Sequence, residues 1–318
     1  MLAIQTEDLT KDYAIGFWRK RPRRALDRLT LGVECGEIFG LLGPNGAGKT
    51  TTLKLLMQLI YPTSGSASIL GLPIGSLALK RRVGYLPEHP YFYDYLTAEE
   101  LLTYFASLFG YAAAERRARV TQLLDQVGIG AERRLALRKF SKGMLQRVGL
   151  AQAILNDPEV VFLDEPMSGL DPLGRRDARA LILELRKRGC TVFFSSHILS
   201  DAEALCDRVA VLARGRLVAE GRVAEILAFD VKGWELIVAD IDRALLTRFG
   251  AQVSKATEIA HGRYVLELPG AAAPDRLLAE LTAAGGKLVS LNPIRETLED
   301  FFVKHVSADA DAARGPAS

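Results

Sequence analysis

The chain has 318 residues, of which 49% are hydrophobic and 25% are charged, which is typical of globular proteins with one large domain and a small one. Its net charge of +3 is too small to indicate nucleic-acid binding by itself. Because the sequence has neither a signal-peptide core nor eighteen uninterrupted apolar residues, we expect a chain that does not span a membrane. Cys35, Cys190 and Cys206 lack metal-like spacing, which predicts buried thiols in a reducing cytosol.

The first forty residues predict short strands separated by a loop. Leu2–Thr6 and Leu26–Val33 have strand-like patterns, and we expect an irregular loop between them that contains Tyr13. This loop also carries the basic run Phe17–Arg24, which has two interpretations. It is either a solvated loop or a contact with anionic lipid head groups or an acidic partner surface.

A phosphate-binding loop is the strongest single motif. The apolar run Ile38–Leu42 predicts a buried strand, and the apolar spacing that ends at Ile60 predicts a helix. Between them, Gly43, Gly46 and Gly48 allow backbone conformations in which successive N–H groups point at a phosphate. Lys49 would supply a positive charge to the outer phosphates, and the Thr50 hydroxyl a ligand for magnesium.

A mainly helical segment follows two further predicted strands, Ser66–Gly71 and Arg82–Leu86. Thr97, with Glu100 three residues later, forms a capping-box pattern, and helices are expected to dominate Thr97–Leu155. Before this segment lies an aromatic cluster, which predicts either internal packing or a docking surface for another protein: Tyr91, Phe92, Tyr93 and Tyr95.

The α/β pattern then resumes. An apolar strand, Val160–Leu163, ends in Asp164 and Glu165. A pair of this kind suits nucleotide hydrolysis, because one carboxylate can hold magnesium through water while the other accepts a proton from the attacking water. The remaining predicted elements are a helix over Gly174–Arg188, a strand over Thr191–Phe194 that leads to His197, and a strand pair over Val209–Leu212 and Leu217–Ala219.

The composition changes beyond about Phe229, and a strand and helix order typical of a split βαβ, ferredoxin-like module follows. We predict strands over Trp234–Val238, Val253–Glu258, Tyr264–Leu268 and Leu288–Leu291, helices over Arg243–Phe249 and Asp275–Ala284, and a closing amphipathic helix over Thr297–His305. Residues 1–228, 229–306 and 307–318 are therefore expected to form a nucleotide-binding domain, a small α+β domain and a disordered tail.

Together these motifs resemble the ATP-binding subunits of ATP-binding cassette (ABC) transporters, over Leu2 to about Ala228. Glu165 matches the family's catalytic glutamate, His197 its switch histidine and Tyr13 its adenine-stacking aromatic residue. The segment FSKGMLQR occupies the place of the family signature, with Ser141 and Gly143 as the matching contacts, and SGLD, ending in Asp171, matches the D-loop. The segment GPNGAGKTT matches Walker A, with Gly43, Pro44, Asn45, Gly46, Ala47, Gly48, Lys49, Thr50 and Thr51 as nucleotide contacts.

Two departures from the family pattern stand out. Glu88 replaces a glutamine, and a carboxylate could ligate magnesium more strongly than an amide. Lys142 and Met144 replace Gly and Gln in the signature. Both departures, and the ending PIRETLEDFFVKH, are familiar from subunits of ABC-2 type exporters.

The resemblance implies an α/β P-loop ABC ATPase with a helical subdomain at about residues 88–157. It implies ATP and Mg²⁺ as cofactors, with Thr50, Asp164 and Glu88 at the metal. It also implies a head-to-tail dimer, most simply of two identical copies, and an integral membrane partner that places the chain at the cytoplasmic face of the membrane. No nucleic acid is expected. A soluble ABC ATPase of translation or DNA repair, and a regulatory ligand on the C-terminal module, remain open alternatives.

Overall fold

A computed structural model describes residues 1–16, 21–228, 231–241, 246–247, 252–270, 274–295, 300 and 303. These residues fall into two compact units, one within Met1–Val223 and the other within Ala224–Lys304. In chain order the elements are β1 (Leu2–Ile15), β2 (Arg21–Glu34), β3 (Ile38–Leu42), α1 (Lys49–Leu56), β4 (Ser64–Ile69), β5 (Leu72–Pro73), β6 (Val83–Leu86), α2 (Ala98–Leu108), α3 (Ala113–Gln126), α4 (Lys142–Ala153), β7 (Val160–Asp164), α5 (Pro172–Lys187), β8 (Thr191–Ser196), α6 (Leu199–Leu205), β9 (Arg208–Ala213), β10 (Arg216–Arg222), α7 (Val223–Ala228), β11 (Val231–Ala239), β12 (Lys255–Ala260), β13 (Arg263–Pro269), α8 (Pro274–Ala283) and β14 (Lys287–Arg295). Single 3₁₀ turns cover Leu77–Arg81 and Leu137–Lys139.

The larger unit contains two sheets. The first is antiparallel, in the order β2-β1-β4-β5, and the second has the order β10-β9-β3-β8-β7-β6. In the second sheet β9, β3, β8, β7 and β6 run parallel, and β10 adds an antiparallel edge. The central strands β3, β7 and β8 are buried along their whole length, since both faces of a parallel sheet are covered. Leu53, Leu55 and Leu56 of α1 join the core that both sheets share.

The N-terminal strands are longer than their sequence suggests. Instead of an irregular loop, β1 continues to Ile15 and pairs with β2, so that Tyr13 lies opposite Arg23 and Ile15 opposite Arg21. Register shifts between Thr6 and Lys11 interrupt the alternation of apolar and polar residues, which hides the strand from a pattern search. The loop prediction is therefore wrong for the described part, and residues 17–20 of the basic run lie outside the described residues.

Helices α2, α3 and α4 pack against one another beside β6, as the helical segment predicts. The capping box at the start of α2 is confirmed: the Glu100 N–H donates to Thr97 Oγ1 at 3.1 Å, and the Thr97 N–H donates to Glu100 Oε2 at 2.8 Å. These reciprocal bonds satisfy two N–H groups that a helix start leaves without partners.

The smaller unit contains a sheet in the order β12-β13-β11-β14, in which neighbouring strands are antiparallel. This is the strand order of the split βαβ, ferredoxin-like arrangement. Leu277 and Leu281 of α8 pack on one face of the sheet with Leu236, Leu266 and Leu268.

Several sequence predictions fall largely outside the described residues. Of the helix expected over Arg243–Phe249, the structure describes only Leu246 and Thr247, and of the helix over Thr297–His305 only Asp300 and Val303. The tail at 307–318 also lies outside them. Among the described residues, no helix combines the length and the apolar character needed to cross a bilayer.

The cysteine prediction is only partly right. Cys190 and Cys206 are buried, whereas Cys35 is exposed. Cys35 lies in the turn between β2 and β3, where the chain reverses at the surface, so the expectation of three buried thiols is wrong at this position.

Candidate nucleotide-binding site

The glycine-rich loop leaves the end of β3 and enters α1 at Lys49. Gly48, the residue that precedes the helix, has φ +110°, which L side chains rarely adopt. A Cβ at Gly48 would lie 2.8 Å from the Ala25 carbonyl oxygen, and one at Gly43 would lie 2.4 Å from that of Leu212. Any other residue at these two positions would push the loop away from the strands that support it.

Lys49 is buried at the base of the loop. Its Nζ donates to the Gly43 carbonyl oxygen at 2.7 Å and lies 3.5 Å from Glu165 Oε1. The positive charge is therefore held directly beneath the glycine-rich loop, where the N–H groups of the helix start also favour an anion.

Asp164 lies at the end of β7 and is fully buried. Its Oδ1 accepts hydrogen bonds from Ser195 Oγ at 2.5 Å and from Thr50 Oγ1 at 3.3 Å. Its Oδ2 is buried without a hydrogen-bond partner among the described residues. Burial raises the pKa of this carboxyl above its ordinary value.

The unpartnered oxygen of Asp164 and the adjacent Thr50 hydroxyl fit a hard cation such as Mg²⁺, which takes few protein ligands alongside phosphate oxygens. Within the described part of the chain, no cluster of three or more His, Cys, Asp or Glu side chains forms a self-sufficient metal site. The donor set therefore suits a cation that arrives together with a nucleotide.

Glu165 follows Asp164 with a strained backbone. Its φ of +51° lies in the left-handed region, which costs a residue other than glycine about 1 kcal/mol or more. Its N–H donates to Ser195 Oγ at 3.1 Å, and the Gln146 amide donates to the Glu165 and Pro166 carbonyl oxygens at 3.3 Å each. These bonds hold the backbone so that the side chain turns towards the loop.

The Glu165 carboxylate is nearly buried, and its Oε2 lies 2.9 Å from Nδ1 of His197. A carboxylate in this position can accept a proton from water, and an imidazole hydrogen-bonded to it can fix its orientation.

A cleft of about 610 Å³ brings most of the predicted binding residues together. Its walls include Tyr13 from β1, Glu88 from the segment after β6, and Glu165. The glycine-rich loop and the start of α1 form its floor with Pro44, Asn45, Gly46, Ala47, Gly48, Lys49, Thr50 and Thr51. The lining thus combines the polar backbone of the glycine-rich loop with the aromatic ring of Tyr13, which suits a ligand that carries both phosphates and a base.

Six of the predicted site residues are not among those that line this cleft: Gly43, Ser141, Gly143, Asp164, Asp171 and His197. Ser141 caps the start of α4 and accepts a hydrogen bond from the Met144 N–H at 3.2 Å. Asp171 caps α5 and accepts one from the Gly174 N–H at 2.9 Å. His197 reaches the site only through Glu165.

Some residues of the site were missed from the sequence. Ser195 and Gln146 brace the Asp164–Glu165 segment, and Arg23 and Arg214 line the cleft. Ser195 could have been found, because polar residues at the carboxyl ends of neighbouring parallel strands meet at one edge of a sheet. The other three depend on contacts between distant segments that carry no local pattern.

The parallel sheet, the glycine-rich loop and the carboxylate pair define a P-loop nucleotide-binding protein. A family model described as ABC transporter matches residues 26–168. An uncharacterized ABC transporter ATP-binding protein of Synechocystis is 46% identical over 95% of this chain and 84% of its own length. The Nod factor export ATP-binding protein I of Burkholderia orbicola is 36% identical over 87% of this chain and 90% of its own length.

Among solved structures, the fold is similar to an ATP-binding cassette determined as a dimer in a post-hydrolysis state with bound ADP and Pi. The TM-score is 0.64 at 24% identity, over 69% of this chain and 98% of the cassette. The chain belongs to the ABC transporter family. It is an ATP-binding subunit and an ATPase.

Proposed function

We propose that this chain drives a separate membrane-spanning exporter of the ABC-2 type by binding and hydrolysing ATP as a dimer. The observation that carries the proposal is the division of the site. The glycine-rich loop, Lys49 and Glu165 share one cleft, whereas Ser141 and Gly143 present a helix start outside it. In a single copy, the nucleotide cleft and the start of α4 are therefore separate places, and we propose that the start of α4 contacts the phosphates bound to another copy.

The groups around Glu165 would carry out the hydrolysis of ATP. The loop N–H groups and Lys49 hold and orient the phosphates, and Tyr13 stacks on the base. Glu165 accepts a proton from the water that attacks the terminal phosphate. His197 fixes the orientation of the Glu165 carboxylate through Nδ1.

Thr50, Asp164 and Glu88 would hold Mg²⁺. The metal supplies charge neutralisation at the phosphate oxygens when it is bound. The buried Asp164 Oδ2 would gain the partner that it lacks among the described residues. Ser195 keeps Oδ1 of the same carboxylate oriented.

The second wall of each site would come from another copy in a head-to-tail dimer. Ser141 and Gly143 at the start of α4 would face the terminal phosphate bound to the partner, and Asp171 would lie at the same interface. ATP would then favour the closed dimer and hydrolysis would release it, because only the terminal phosphate bridges both copies. The dimeric state of the similar cassette supports this arrangement.

The aromatic cluster offers the surface for the membrane partner. Tyr91, Tyr93 and Tyr95 are exposed, Tyr91 by 93%, and they lie between Glu88 and α2. Exposed aromatic side chains this close together are uncommon on surfaces without a partner. Docking here would couple the partner to Glu88 and place the chain at the cytoplasmic face of the membrane, with residues 229–306 as an accessory domain. The export role of the Burkholderia relative supports export as the direction.

A pull-down from detergent-solubilised membranes of the source organism tests the proposal. The tagged chain should recover an integral membrane protein, and Tyr91→Ala with Tyr95→Ala should reduce that recovery. Tyr61→Ala, which removes an exposed tyrosine after α1, is the matched control and should have no effect. Recovery of ribosomes or DNA without an integral membrane protein would contradict the proposal.

A further inference from the structure

Two arginines that no sequence motif includes lie on the wall of the nucleotide cleft. Arg23 belongs to β2, and Arg214 lies in the turn between β9 and β10. Both line the same cleft as Tyr13 and the glycine-rich loop. They therefore border the cleft in which we place the nucleotide.

The neighbouring Arg24 also lines the cleft, but its charge is already neutralised. Its guanidinium contacts Asp12 at 2.9 Å and Asp27 at 2.8 Å. Arg23 and Arg214, in contrast, form no ion pair with any side chain that the structure describes. Their positive charges remain available to an anionic or aromatic ligand.

Arg23 is the cross-strand partner of Tyr13. Directly opposite residues on one face of an antiparallel pair have Cβ atoms about 5 Å apart, so a base stacked on Tyr13 lies within reach of the Arg23 guanidinium. A planar guanidinium stacks on a nucleobase or donates hydrogen bonds to its edge.

The turn that carries Arg214 is hydrogen-bonded to the glycine-rich loop. The N–H of the next residue, Gly215, donates to the Ala47 carbonyl oxygen at 2.9 Å, and the Asp27 N–H donates to the Gly215 carbonyl oxygen at 2.8 Å. Arg214 itself has φ +50°, in the left-handed region. These bonds fix the turn against the glycine-rich loop, so the backbone of Arg214, an exposed residue that lines the cleft, is anchored beside this loop.

We propose that Arg23 and Arg214 are nucleotide-binding residues with different targets: Arg23 contacts the base beside Tyr13, and Arg214 contacts the phosphate chain. The inference rests on ATP binding by this chain. It requires neither the dimer nor the membrane partner, so its failure leaves the transport proposal untouched.

Isothermal titration of the full chain with two probes separates the two roles. ADP carries base and phosphates, and inorganic tripolyphosphate carries phosphates only. Arg214→Gln should weaken the binding of both probes by about three- to tenfold, as expected for the loss of a partly exposed charge contact. Arg23→Gln should weaken ADP binding by a similar factor and leave tripolyphosphate binding unchanged.

Arg21→Gln is the matched control for Arg23→Gln, because Arg21 is an exposed arginine on the same strand that does not line the cleft. Its binding constants should equal those of the unmodified chain, and all three variants should keep its unfolding temperature. An equal loss of ADP affinity in Arg21→Gln would mean that the overall charge of the chain, and not a contact in the cleft, causes the effect, and it would also overturn the proposal. Unchanged ADP affinity in both Arg23→Gln and Arg214→Gln would overturn the proposal.

Discussion

Nδ1 of His197 lies 2.9 Å from Oε2 of Glu165, and the same carboxylate reaches to 3.5 Å from Nζ of Lys49 through its other oxygen. Glu165 thus connects the residue that follows β8 with the glycine-rich loop that follows β3. The side chain is nearly buried and its backbone is strained, so its position is imposed by the surrounding structure.

Glu165→Gln should reduce steady-state ATP hydrolysis by about 100-fold or more, because an amide cannot accept the proton of the attacking water. Nucleotide affinity should stay close to that of the unmodified chain, since the amide keeps the size of the carboxylate. Release of phosphate and titration of ATP measure the two quantities. Glu184→Gln, on the exposed side of α5, is the control. Near-normal turnover would mean that Glu165 is not the general base.

Gln146→Met should destabilise the protein by about 1–3 kcal/mol, because it removes both hydrogen bonds from a fully buried amide to the Glu165 segment. We also expect kcat to fall while KM for ATP changes little, since Gln146 touches the backbone of Glu165 and lies outside the cleft. Urea unfolding and steady-state kinetics check this prediction. The same substitution at Gln152, on the same helix, should leave kcat unchanged. A loss of stability with normal kcat would show that Gln146 has only a packing role.

Glu88→Gln should leave ATP binding intact and change the turnover that the membrane partner stimulates. Glu88 lines the cleft, and only His89 and Pro90 separate it from the exposed aromatic cluster, so it connects the proposed metal site with the proposed docking surface. ATPase activity in the presence of the reconstituted partner is the measurement. An identical stimulated rate would remove any special role for the carboxylate.

The thiols should differ sharply in reactivity. Burial raises the pKa of Cys190 to about 12 and that of Cys206 well above its ordinary value, so both stay protonated at pH 8, whereas Cys35 is exposed. The folded chain should therefore react with a disulfide reagent at Cys35 alone, and Cys35→Ser should abolish the fast reaction. Rapid reaction of the Cys35→Ser variant under native conditions would contradict the burial of the other two.

Much of the candidate site could be predicted from local sequence patterns. Gly43 to Thr51 and the Asp164–Glu165 pair follow apolar strands, and polar residues at the ends of buried strands have little use in packing. The capping box at Thr97 was readable because it depends on a short-range pattern. In the C-terminal module, the order of strands and helices along the chain indicated the split βαβ arrangement to which the observed sheet corresponds.

Other features depend on contacts that the sequence does not show. Tyr13 and Arg23 are ten residues apart but become neighbours only because β1 and β2 continue as a ribbon past the register shifts near Leu9. Gln146 supports Glu165 from helix α4, and the turn that carries Arg214 bonds to Ala47. Such contacts are set by the tertiary fold, where spacing along the chain is uninformative.

If Ser141 of a second copy completes the ATP site, the mass of the Glu165→Gln chain in solution should depend on ATP. Light scattering with saturating ATP should give the mass of a dimer, and without nucleotide the mass of a monomer. Adding Ser141→Arg should restore the monomer in the presence of ATP, because the bulky cation blocks the start of α4 while the nucleotide cleft remains intact. A monomer under all conditions, or an ATP-dependent dimer that persists with Ser141→Arg, would show that Ser141 of a second copy does not complete the site.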